Sequence, residues 1–70
     1  GAMMQNLKKY LIPDNISIFD AIKFITENGT QFAIVVDNNQ VLKGVITDGD
    51  IRSGILKGND LKSPVSAIMN

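Results

Sequence analysis

Seventy residues with seven basic and seven acidic side chains carry no net charge, which bounds the chain at one small domain and gives no basic face for nucleic acid. A hydrophobic share of 44% with 20% charged residues fits a globular fold and excludes a disordered one. Without cysteine or histidine there is no disulfide framework, no thiolate or imidazole metal site, no cysteine nucleophile and no Ser-His-Asp triad.

Gly1-Ala2-Met3 ahead of Met4 looks like the remnant of a cleaved tag and is left out of fold reasoning. Residues 4–10 read as an arm or a short helix, with Leu7 and Tyr10 at i, i+3. Leu11 and Ile12 are a brief apolar pair stopped by Pro13, which disfavours helix before it and fits a very short edge strand. Asp14 and Asn15 are turn residues.

Ser17 opens the clearest helix. It can cap, and Asp20 three positions on resembles the acid of a capping box. Ile18, Ala21, Ile22 and Ile25 fall at i, i+3, i+4, i+7 and make a core-facing stripe. Asn28-Gly29 supplies the stop, because glycine tolerates the left-handed residue after a helix. Phe32, Ala33, Ile34, Val35 and Val36 follow as a continuous apolar strand, which calls for cover on both faces. Asp37-Asn38-Asn39-Gln40 has hairpin length, so residues 32–36 and 41–47 are expected to pair antiparallel. Gly44 weakens the second of these strands but permits close approach of a backbone or ligand.

Thr47, Asp48 and Asp50 arrive where that strand ends and a helix of about residues 49–57 begins. A polar strand-to-helix turn leaves unpaired N–H groups at the positive end of the helix dipole, a place to hold phosphate or ribose. The plainer reading is that Thr47 or Asp48 only caps the helix. Gly54 inside the helix costs roughly 1 kcal/mol against alanine, which points to tight packing there. Gly58 ends the helix and residues 59–62 read as linker. Ser63-Pro64 then gives a cap followed by proline at a helix's first position, with Val65, Ile68 and Met69 beginning an apolar stripe that Asn70 cuts short. A helix start without its helix implies that the natural chain continues.

The order strand, helix, strand, strand, helix describes an α+β fold, a small sheet with helices on one face and an apolar face left over for association. No apolar run approaches the roughly 18 residues of a membrane span, so no membrane partner is expected and a cytoplasmic setting is the default.

With this β-α-β-β-α order, FAIVVD on the middle strand and GVITDGD leading into the last helix, the chain resembles a cystathionine-β-synthase (CBS) domain. The family's glycine, two apolar residues, Ser/Thr, two free positions and Asp fall on Gly44, Val45, Ile46, Thr47 and Asp50. PVSAIMN resembles the approach to a second such repeat, giving a domain over 11–58 and a linker with a truncated helix start over 59–70. The whole stretch is similar to the CBS pair at the start of sugar-phosphate nucleotidyltransferases, and similar TDGD turns accompany sugar-phosphate isomerases. The resemblance implies a non-catalytic, regulatory Bateman-type module that binds an adenosine nucleotide such as AMP or ATP and pairs with a second repeat or its own copy. By position, Asp50 would accept the ribose hydroxyls and Thr47 would contact ribose or phosphate. Phe32 and Ala33 would line the base pocket in place of the family's apolar-Pro dipeptide, and Ile12 would close its other side. Neutral Thr30 and Gln31, and Ser53 where a second arginine is common, disfavour a multiply charged ligand. The competing reading is a structural dimerisation module with a degenerate site that binds nothing.

Overall fold

The computed structural model describes residues 7–70. Of the expected amino-terminal arm, residues 4–6 lie outside the described part; Leu7 and Lys8 are helical and close a turn with Tyr10 N–H donating to Leu7 O at 2.9 Å. The order that follows is β1 (Leu11–Pro13), α1 (Ile18–Asn28), β2 (Phe32–Val36), β3 (Leu42–Thr47) and α2 (Asp48–Leu56), then a 3-10 turn at Val65–Ala67. β2 lies between the other two strands, parallel to β1 and antiparallel to β3.

Strand side chains alternate between faces. Ile12, Ala33, Val35 and Ile46 therefore point one way and are buried with Ile18, Ala21, Ile25, Ile51 and Val65 in a single core. The opposite alternation leaves Phe32 and Val45 exposed and Leu11 and Ile34 half-buried, so among the described residues the second face of the all-apolar β2 stays largely open, with Leu7 and Tyr10 at its margin and Val36 buried at its end. The hairpin is pinned by Asp37, whose Oδ1 accepts the N–H groups of Asn39 at 2.8 Å and Val41 at 3.0 Å. Gln40 takes the positive φ of 64° that ends such a loop, and a bulge between Val35 and Val36 skips Lys43 so that Val36 meets Leu42.

The α1 stripe buries Ile18, Ala21 and Ile25 as expected, with Ile22 and Phe24 packed at its margin. Gly29 closes the helix with φ 66°, and its N–H donates to Thr26 O at 3.4 Å. The start of α1 differs from a capping box. Ser17 Oγ accepts the Asp20 N–H at 3.0 Å, but the earlier N–H groups are served from a distance: Ile18 donates to Ser63 O at 2.8 Å and Phe19 to Leu61 O at 3.0 Å. The carbonyls of Leu61 and Ser63 thus satisfy two of the donors that the helix start leaves open.

The segment expected as a linker is accordingly stitched onto the domain. Val65 N–H donates to Ile16 O at 2.9 Å, and the Val65 side chain is fully buried. Ser63 does not cap the following turn: its carbonyl is committed to Ile18, and Pro64 stands at the cap position with no side-chain hydrogen bond.

Candidate functional site

At the junction of β3 and α2, local chemistry first makes a cap. Thr47 is extended at φ −118°, ψ 168°, and its Oγ1 accepts the Asp50 N–H at 3.1 Å. Asp50 closes the box in return: its Oδ2 accepts from the Thr47 N–H and the Thr47 hydroxyl, both at 2.9 Å. Asp48 N–H is taken by Gln31 O at 3.2 Å. The expected phosphate role of the helix start thereby loses two donors, those of Asp48 and Asp50.

The other carboxylate oxygen reaches across twenty residues. Asp50 Oδ1 accepts from Asn70 Nδ2 at 2.6 Å. Asn70 is held there by its backbone, which exchanges two 3.0 Å hydrogen bonds with Val45 along the outer edge of β3. Two glycines make this approach possible. A Cβ on Gly44 would run into the Asn70 carbonyl, and one on Gly54 would lie 2.5 Å from Ile68 Cγ2. The closeness expected at both glycines is real, and in both cases the carboxy-terminal segment fills the space. Between that segment and α2 runs a polar groove lined by Asp50, Ser53, Lys57 and Asn59 with residues 67–70.

An ionised carboxylate offers about four acceptor positions. Oδ2 is filled by two donors, whereas Oδ1 receives one and keeps a lone pair for another. Burial works to raise the Asp50 pKa, but the Thr47 N–H, the Thr47 hydroxyl and the Asn70 amide outweigh it and hold the group below the usual carboxylate range. At the hairpin, the Val41 and Asn39 N–H groups lower Asp37 in the same way. A depressed carboxylate stabilises the fold above its unfolded pKa, and that contribution disappears as pH falls through the folded one. The melting temperature is therefore expected to drop below about pH 4, the ordinary aspartate range. The drop should be smaller in Asp50→Asn; equal acid sensitivity in thermal melts of the two proteins would remove Asp50 from this account.

The five residues expected to form the site divide in two. Phe32 and Thr47 are cross-strand partners and share the open sheet face away from the core, and Asp50 is bonded to Thr47. The Phe32 ring, 37% exposed, stacks on Tyr10 with centroids 4.9 Å apart. Ile12 and Ala33 instead turn their side chains into the core at 2% and 0% exposure, which leaves them only backbone atoms for any ligand. Asn70 was not anticipated as a site residue; its only trace in the sequence is indirect, in the two glycines that make room for its segment.

The family model of the CBS domain matches residues 3–57. The chain belongs to the CBS domain family. It is 40% identical over 53 residues to arabinose 5-phosphate isomerase GutQ of Salmonella typhi, covering 76% of this chain and 16% of the isomerase. An uncharacterized protein of Helicobacter pylori strain J99 is 38% identical over 63 residues, covering 90% and 19%. In solved structures the fold recurs in a CBS-domain containing protein of Agrobacterium tumefaciens, with a TM-score of 0.81 at 21% identity over 86% of this chain and 46% of that one. It recurs in a CBS domain protein of Pyrobaculum aerophilum complexed with AMP, with a TM-score of 0.78 at 19% identity over 86% and 47%. The CBS domain thus spans a small part of its sequence relatives and about half of these structural neighbours. The named sequence relative is an isomerase, so the nucleotidyltransferase likeness gains no support from it. Among the described residues no helix is long and apolar enough to cross a membrane, and no cluster of three or more acidic side chains is placed to hold a metal ion.

Proposed function

We propose that this CBS domain is a regulatory module that senses an adenosine-type nucleotide for an attached enzyme of sugar-phosphate metabolism. The observation that carries the reading is the capped pair of exposed Thr47 and half-buried Asp50, with one acceptor position of Asp50 Oδ1 unfilled. The family membership and the AMP complex of a fold neighbour support it. In this reading the ribose hydroxyls meet Asp50, the Thr47 hydroxyl stands beside the ribose, and the base contacts Phe32 and the backbone of Ile12 and Ala33. An isomerase is the favoured attached enzyme because the named relative is one, ahead of the nucleotidyltransferase to which the sequence is also similar. The module itself is non-catalytic.

Calorimetric titration of the full-length parent protein with adenosine, its mono-, di- and triphosphates and GMP tests this reading. Adenosine ligands are expected to bind with affinities that rise little with phosphate number, because Thr30, Gln31 and Ser53 are neutral. No heat from any of them at millimolar ligand would leave the structural reading standing.

That second reading has its own observation, the apolar sheet face of Leu11, Ile34, Leu42 and Val45. It needs a partner layer in either case, a second CBS repeat or a second copy. The 70-residue chain is expected to form a homodimer burying on the order of 1,200 to 2,000 Å² in total. A single 7.6 kDa species in sedimentation equilibrium at micromolar protein would refute the dimer.

A further inference from the structure

We infer that Asn70 is a latch: its side-chain amide holds Asp50 while its backbone holds the edge of β3, so that a vicinal diol binding Asp50 releases Asn70 from that edge. The inference rests on the proposed nucleotide reading for its ligand, but the latch itself is built from contacts within the chain.

Asp50 Oδ2 already accepts two donors from Thr47, so a diol that aims both hydroxyls at this carboxylate needs both positions on Oδ1. Asn70 Nδ2 holds one of them at 2.6 Å. The incoming hydroxyl and the amide therefore compete. The remaining ties of Asn70 are its two 3.0 Å backbone hydrogen bonds to Val45 on the sheet edge, where water can replace them. At Gly44 the Asn70 carbonyl lies directly against the strand backbone, standing where a Cβ would otherwise be, a fit that exists only while Asn70 is docked. The diol and the docked Asn70 thus bias one equilibrium. Coupling of this kind is reciprocal: what loosens the segment tightens the diol.

The test reads backbone amide exchange at Val45, whose N–H donates to Asn70 O, with Ile34 as control, whose N–H donates at 2.7 Å to Tyr10 O on the far side of the sheet. Without ligand, Asn70→Ala is expected to speed Val45 exchange roughly three- to tenfold, the size of the loss of one ordinary solvent-exposed hydrogen bond. Ile34 should be unchanged. Asn70→Asp, which sets a second carboxylate against Asp50, should speed it further. Val45 exchange unmoved in both variants overturns the latch. With AMP as probe, wild type should show faster Val45 exchange on binding, and Asn70→Ala should bind AMP several-fold more tightly than wild type. Equal or weaker binding by Asn70→Ala overturns the competition and makes Asn70 a supporting residue. If AMP binds neither protein, the nucleotide reading fails, and the latch is judged by the ligand-free exchange alone.

Discussion

Ile18→Ala is expected to unfold most of the protein at room temperature. Ile18 is fully buried, among the largest side chains that are, and it sits where α1 meets β2 and the docked segment around Val65. Removing its outer carbons leaves a cavity that the surrounding β-branched residues fill poorly, at a cost of about 2–5 kcal/mol. A domain of this size buries only about 60% of its unfolded surface, so its whole stability is of the same order. Denaturant titration followed by circular dichroism is the measurement. Ser17→Ala, which removes one exposed capping bond to the same helix, should cost about 1 kcal/mol. The same comparison holds for Ile22→Ala, with a smaller loss than at Ile18 because Ile22 is only partly buried. If Ser17→Ala proved the more damaging, the packing of α1 described above would be wrong.

Asp50→Ala carries the largest expected effect on function. Loss of a charge-assisted pair of hydrogen bonds should weaken adenosine-ligand binding by about 1.5–3 kcal/mol, roughly ten- to hundredfold. The substitution also removes half of the α2 capping box and should lower stability by about 1 kcal/mol. Thr47→Ala separates the two consequences. It removes the cap hydroxyl but keeps the carboxylate, so it should match Asp50→Ala in melting temperature while retaining more binding in calorimetry. Equal binding losses in the two variants would mean that the folded turn, rather than the carboxylate, is what the ligand needs.

Much of this was legible in the chain because it rests on local rules. The period of Ile18, Ala21 and Ile25 set the helix face, and Gly29 set its end at a left-handed residue. The four-residue turn after Val36 set the antiparallel hairpin. A cap by Thr47 or Asp48 is the plainer of the two readings of that turn, and the structure assigns it to Thr47, with Asp50 three positions on closing the box in return. The family resemblance rested on the same short-range pattern.

Only the tertiary structure decided the rest. Alternation along β2 and β1 sends the side chains of Ala33 and Ile12 into the core and that of Phe32 to the open face, which leaves Ala33 and Ile12 only backbone atoms toward a ligand. Sequence spacing fixes that neighbours oppose each other but not which face the helices cover. The same limit applies to residues 59–70. Their turn and cap signals describe a linker, yet the open N–H groups at the start of α1 recruit the carbonyls of Leu61 and Ser63 and bring Val65 into the core. Asn70 reaches Asp50 for a reason no local rule contains: Gly44 and Gly54, on different elements, clear one path, and the edge of β3 offers Val45 to end it.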